Sequence, residues 1–95
     1  MLNKFDISSF VDIDTENSVC DGLVTRFKKR RKELKLSQKQ ISVLSGVSYA
    51  SVRRFENTGE ISLKSLLKLA GAIDSLSDFS TVFAYSKAKN LKDMI

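Results

Sequence analysis

Apolar residues recur every three or four positions from Leu23 to Phe83, which is the spacing of helices with one buried face. Leu23, Phe27 and Leu34 form the apolar stripe of a first helix that ends near Lys35. Proline, which would interrupt a helix, is absent from the chain. The pattern therefore predicts an all-α domain in this part of the chain.

Serines at capping positions divide the rest of this region. Ser37 and Gln40 have the spacing of a capping box that starts a second helix, and Gly46 ends it. Ser48 can then cap a third helix. Two capped helices this close in sequence cannot be collinear, so the chain must turn sharply between them. The residues predicted to face inward are Ile41 and Leu44 in the second helix and Val52 and Phe55 in the third.

A fourth helix is predicted to begin at Ser62 and a fifth at Ser75, which has Asp78 three residues later. Ile61 and Leu66 have the spacing of a hydrophobic staple at the start of the fourth helix. The expected fold is therefore five helices around one core, joined by short loops. The inward residues are Leu63, Leu66, Leu67, Ala70 and Ile73 in the fourth helix and Leu76, Phe79 and Phe83 in the fifth.

The outward face of the third helix is basic and polar. At about 100° per residue, this face collects Ala50, Arg53, Arg54 and Asn57, and Tyr49 lies at its exposed start. Arginines on such a helix can bond bidentately to guanine in the DNA major groove, whereas solvation is the usual role of a charged pair. Tyr49 has two interpretations as well, a contact with DNA or packing against the second helix.

Arg31 interrupts the apolar stripe of the first helix, since it lies four residues after Phe27 and three before Leu34. An inward charge needs a partner. Glu56 falls beside the inward face of the third helix and is its natural partner. We predict a partly buried salt bridge, and where the burial is deep the loss of one partner should cost about 3 to 5 kcal/mol.

Charge is unevenly distributed along the chain. The net charge is +5, but residues 1–22 hold one lysine and five acids, which gives −4, and residues 23–95 hold fifteen bases and six acids, which gives +9. A basic excess favours a polyanion such as nucleic acid through counterion release. The bases from Lys28 to Lys32 either solubilise the first helix or reach phosphates.

The chain is divided into three parts. Residues 1–22 are an acidic N-terminal extension, in which the partly alternating run from Phe5 to Ile13 is either a short strand, a docking segment or a disordered leader. Residues 23–83 are the helical domain. Residues 84–95 are a polar tail that ends with Leu91, Met94 and Ile95.

Composition excludes several kinds of chemistry. Histidine is absent and Cys20 is the single cysteine, which rules out an internal disulfide, a Cys/His zinc site and a histidine base. There is no glycine-rich phosphate loop and no metal-ligand spacing, so we expect no catalytic residue, metal or cofactor, and no enzyme. No apolar run suits a membrane span and the N-terminus lacks signal-peptide features, so the expected location is the cytoplasm.

The segments Leu36 to Ile41, Ser45 to Gly59 and Ser62 to Ala70 resemble the phage repressor and Cro type of helix-turn-helix, the Xre family. The resemblance covers residues 23–83. It implies a repressor-like domain that binds double-stranded DNA sequence-specifically. Regulators of this kind work as a homodimer on a palindromic operator.

The resemblance implies roles for individual residues. Gln38 bonds a phosphate and orients the third helix, and an arginine–glutamate bond like that of Arg31 and Glu56 is common. Two departures are visible: Tyr49 replaces a usual glutamine, and Thr58 adds one residue to the usual Glu-Asn-Gly turn. The predicted base-reading residues are Tyr49, Ala50, Arg53 and Arg54, and the predicted phosphate contacts are Gln38, Lys39, Ser48, Ser51, Asn57 and Thr58.

A second resemblance concerns the downstream part of the chain. The segments Leu63 to Ile73, Leu76 to Phe83 and Lys89 to Ile95 are similar to Xre regulators that accompany Hip-type kinase toxins as antitoxins. It implies an antitoxin that dimerises, represses its own operon and holds a toxin. The alternative hypothesis is therefore a protein-interaction module that uses the N-terminal run or the tail. An RNA target is less favoured, because exposed aromatic platforms are missing.

Overall fold

The computed structural model describes residues 13–86 of the chain. In this range the protein forms four α-helices, one short 3-10 helix and no β-strand. The all-α prediction is confirmed, whereas the count of five helices is not. The elements are α1 (Glu16–Glu33), α2 (Gln38–Ser45), α3 (Tyr49–Thr58), α4 (Leu63–Ala72) and the 3-10 helix (Leu76–Phe79).

A side-chain cap starts each α-helix. Ser37, Ser48 and Ser62 cap α2, α3 and α4 at the positions that the sequence predicts. Thr15 and Ser18 form a further capping box, so α1 begins at Glu16 rather than near Leu23. The division of the chain at residues 22 and 83 stays a prediction. Residues 1–12 and 87–95, with most of the alternating run and the apolar end of the tail, lie outside the described residues.

Every α-helix contributes to one core. Helix α2 packs on α3 and α4, and α1 packs on α3. The rings of Phe27 and Phe55 meet edge to face, with 5.5 Å between their centroids. Burying these apolar side chains is the main favourable term in forming the domain. The buried cluster consists of Phe27, Ile41, Val47, Val52, Phe55, Leu69 and Ile73.

Some residues predicted to face inward are on the surface. Leu44 is 61% exposed, because the short helix α2 buries only Ile41. Leu63 is 69% exposed, because it is the first residue of α4. Phe83 is 100% exposed. The predicted fifth helix is reduced to the four residues of the 3-10 helix, because Ser75 makes no side-chain cap bond.

Candidate nucleic-acid interface

The turn between α2 and α3 is fixed by hydrogen bonds and by one left-handed residue. Gly46 ends α2 at φ 78°, a conformation that glycine adopts without steric cost. Oγ of Ser42 donates to the carbonyl of Val47 over 2.6 Å, and Oγ of Ser45 accepts from the amide of Val47 over 3.0 Å. Val47 itself is buried. The turn therefore holds α3 at a defined angle to α2.

Helix α3 has one buried and one exposed face. Val52, Phe55 and Glu56 are buried among the other helices. The opposite face is open to solvent and carries two positive charges. It presents all four residues predicted to read bases, which are Tyr49, Ala50, Arg53 and Arg54, together with Asn57.

Two cations approach the ring of Tyr49 at the start of this face. Nζ of Lys39, on α2, is 5.5 Å from the centre of the tyrosine ring, and the guanidinium carbon of Arg53 is 5.6 Å from it. A cation over an aromatic face is attracted by the ring quadrupole. Tyr49 therefore contacts α2 through Lys39 and still keeps 39% of its surface exposed. Packing and accessibility coexist at this residue.

Arg54 forms an ion pair with Glu60, which follows the end of α3. Its Nε donates to Oε1 of Glu60 over 2.9 Å, and its Nη2 donates to the same oxygen. The two side chains are 66% and 63% exposed. The sequence pattern predicts no partner for Arg54. The two positions are six residues apart across the end of the helix, a separation that helical periodicity does not relate.

Arg31 and Glu56 form the buried ion pair behind α3. Nε of Arg31 donates to Oε2 of Glu56 over 2.7 Å, and Nη2 donates to Oε1 over 2.9 Å. Nη1 of Arg31 donates to the carbonyl of Leu36 over 2.8 Å. Nε2 of Gln38 donates to Oε1 of Glu56 over 2.9 Å. The cluster thus ties α1, the start of α2 and α3 together, and we call it the clamp.

The clamp keeps Glu56 ionised. Burial of the carboxyl raises the pKa of Glu56, but the hydrogen bonds from Arg31 and Gln38 and the charges of Arg31 and Lys28 outweigh it. The pKa of Glu56 therefore lies below its ordinary value of 4.5. An ionised Glu56 preserves both hydrogen bonds to Arg31.

The six residues predicted to contact phosphates lie at the ends of α2 and α3. Oγ of Ser48 accepts from the amide of Ser51 over 3.1 Å and donates to its Oγ over 2.9 Å. Gln38 already uses one amide N–H on Glu56, which leaves the other for a further acceptor. Asn57 is exposed, and Thr58 is the last residue of α3. The full set is Gln38, Lys39, Ser48, Ser51, Asn57 and Thr58.

Residues 13–86 contain no group of three or more acidic, cysteine or histidine side chains that could hold a metal ion. No helix within the same range is long and apolar enough to cross a membrane. A family model described as helix-turn-helix matches residues 27–79, which is more than half of the chain. Comparisons with curated proteins and with solved structures gave no match.

Proposed function

Since the chain belongs to the helix-turn-helix family, of the Xre type, we propose that it is a sequence-specific transcriptional repressor that reads DNA with α3. One observation carries the proposal. The face of α3 opposite the core is open and presents Arg53 and Arg54. A helix held in this way can enter the major groove, where each base pair shows a distinct set of donors and acceptors.

In this proposal some residues of α2 and α3 contact bases and others contact phosphates. Tyr49, Ala50, Arg53 and Arg54 face base edges, and arginine suits the O6 and N7 acceptors of guanine. The phosphate contacts of Gln38, Lys39, Ser48, Ser51 and Asn57 set the register of the helix without reading sequence. The hydroxyl of Thr58 donates to the carbonyl of Arg54, so Thr58 lies beside these contacts without donating to a phosphate. These roles are supported by the positions of the residues around the exposed face of α3.

Selection from a random DNA pool tests this function. The wild-type protein should enrich duplexes with one motif, whose two halves are inverted and lie about 10 base pairs apart. Binding to the enriched duplex should be tighter than to a scrambled duplex of the same composition by about 10³-fold or more. Recovery of sequences without a common motif would contradict sequence-specific binding.

The repressor is proposed to act as a two-fold dimer, because two equivalent recognition helices match an inverted repeat. Leu44, Leu63, Leu67 and Leu76 line one groove beside α4. Leu44, Leu63 and Leu76 in it are 61%, 69% and 50% exposed. Clustered apolar side chains of this kind mark contact surfaces. A second copy of the chain would cover them.

Sedimentation of the wild-type protein should show a dimer, and Leu63→Lys should shift it towards the monomer. Val82→Lys is the matched control, since Val82 is 55% exposed and does not line the groove. A protein that remains monomeric on the selected duplex would overturn the dimer.

A second candidate function is that of an antitoxin, which binds and neutralises a Hip-type kinase toxin and represses its own operon. The observation that favours it is a set of exposed carboxylates around the start of α1, namely Asp14, Glu16 and Asp21. DNA would repel these charges, so they suit a basic protein surface.

Co-purification with a neighbouring gene product tests the antitoxin function. Under this hypothesis a kinase-like protein is retained by the full chain and is lost on neutralising Asp14, Glu16 and Asp21, which leaves the cap of α1 in place, or on deleting residues 84–95. Retention by both variants would contradict binding through these parts of the chain.

A further inference from the structure

Two hydrogen bonds of the Thr58 side chain join the end of α3 to Glu60. Oγ1 of Thr58 donates to the carbonyl of Arg54 over 2.7 Å and accepts from the amide of Glu60 over 3.1 Å. Gly59 between them has φ 79°, which reverses the chain direction. The backbone of Glu60 is therefore held to the backbone of Arg54 through one hydroxyl.

This arrangement brings the Glu60 carboxylate to the Arg54 guanidinium on the exposed side of α3. The carboxylate accepts from Nε and Nη2 of Arg54. Both side chains are mostly exposed, and an exposed pair contributes little to folding. Substitution of Glu60 should therefore leave the fold intact and act on what Arg54 binds.

We propose that Glu60 is a specificity-determining residue that positions Arg54 for guanine and keeps it from backbone phosphate. This inference rests on the proposed function, in which Arg54 faces base edges. The carboxylate engages Nε and part of Nη2, and the remaining N–H groups of the guanidinium stay free to donate. A guanine edge offers neutral acceptors to these groups, so it meets little repulsion from Glu60.

A phosphate, in contrast, brings a full negative charge next to the carboxylate. Repulsion between the carboxylate and the phosphate opposes a contact of Arg54 with the DNA backbone. Such repulsion is one way in which a protein discriminates between binding sites. Glu60 thus weakens binding that depends on the DNA backbone alone. Thr58 contributes because its hydroxyl fixes the position of Glu60. This gives a role to Thr58, which adds one residue to the turn after α3.

Glu60→Gln tests the inference on two probes, the duplex enriched by the wild-type protein from a random pool and a scrambled duplex of equal length and composition. The substitution should raise affinity for the scrambled duplex, because one repelling charge is lost. Affinity for the enriched duplex should gain less or fall. The ratio of the two affinities is expected to drop by about tenfold, a size typical of one base contact.

Two control experiments separate positioning from a general charge effect. Asp78→Asn makes the same charge change in the 3-10 helix, which packs on α4, and should change both affinities by the same factor. In an Arg54→Ala background, Glu60→Gln should leave the ratio unchanged, since the side chain that it positions is gone.

A further pair of variants tests the role of the hydroxyl. Thr58→Val removes it and should lower the ratio, whereas Thr58→Ser keeps it and should preserve the ratio. Circular dichroism should show the same helix content in every variant.

The inference is overturned if Glu60→Gln changes both affinities by one factor, or if the ratio still drops without Arg54. These outcomes leave the repressor function intact, provided that the wild-type protein discriminates between the two duplexes. Equal wild-type affinities for both duplexes would instead overturn the proposed function, and the inference with it.

Discussion

At the scale of single residues, the clamp explains why a charge interrupts the apolar stripe of α1. Arg31 uses all three guanidinium nitrogens, two on Glu56 and one on the carbonyl of Leu36. The side chains of Arg31 and Glu56 are only 8% and 2% exposed. A buried pair with this geometry fixes the relative position of α1 and α3, and removal of either partner leaves the other charge buried.

Glu56→Ala is predicted to lower the free energy of unfolding by about 3 to 5 kcal/mol, because Arg31 loses its partner inside the protein. Glu33→Ala, at an exposed position of α1, is the control and should change stability by about 0.5 kcal/mol or less. Urea unfolding followed by circular dichroism measures both. A Glu56→Ala protein as stable as the control would show that the clamp does not hold the helices.

The lowered pKa of Glu56 also predicts how stability depends on pH. A carboxyl with a lower pKa in the folded state than in the unfolded state stabilises the fold above its unfolded value, near 4.5. That contribution should be lost as the pH falls from 4.5 through the lower folded value. Urea unfolding across this range should show the loss in the wild-type protein and a smaller one in Glu56→Gln. An equal loss in both proteins would contradict the assignment to Glu56.

At the scale of elements, the sequence predicts where helices begin better than it predicts how distant helices pack together. The caps of α2, α3 and α4 were predicted because a capping bond involves only neighbouring residues. Arg31 and Glu56 lie 25 positions apart, and they were paired because each is a charge near an inward face. The predicted fifth helix is only a short 3-10 helix, because Ser75 makes no side-chain cap bond and because Leu76 and Phe83 stay exposed instead of packing on another helix.

The ion pair of Arg54 and Glu60 was also beyond sequence reasoning. Helical periodicity relates residues three or four positions apart, and Glu60 lies past the end of α3. Its position depends on the left-handed Gly59 and on the two hydrogen bonds of Thr58. Tertiary detail of this kind determines what Arg54 contacts.

The turn between α2 and α3 gives a prediction at this scale. Gly46→Ala should destabilise the protein by about 1 to 2 kcal/mol, since an added Cβ opposes φ 78° even though no other atom lies within 4 Å of its place. Gly71→Ala in α4 is the matched control. Its added Cβ also meets open space but sits in a helix, so it should stabilise the protein by about 0.5 to 1 kcal/mol. Thermal unfolding compares them, and equal shifts would argue against strain at Gly46.

At the scale of the whole molecule, α3 lies at the surface of the domain and presents a basic face to solvent. Helix α3 has its apolar face in the core and its basic face outside, and the clamp and the turn hold it from behind. The central claim is that this outer face contacts the base pairs of DNA, whereas the lysines and arginines of α1 attract DNA of any sequence. Arg54 and Lys32 represent these two roles, since both are exposed cations on α-helices.

The most direct measurement is the affinity of Arg54→Ala for the selected duplex and for its scrambled counterpart. It should lose about 1 to 3 kcal/mol of binding to the selected duplex and relax the preference at one base pair, with a much smaller loss on scrambled DNA. Lys32→Ala, which removes one charge from α1, should weaken both complexes alike. Equal losses on the two duplexes for Arg54→Ala would contradict base reading by α3.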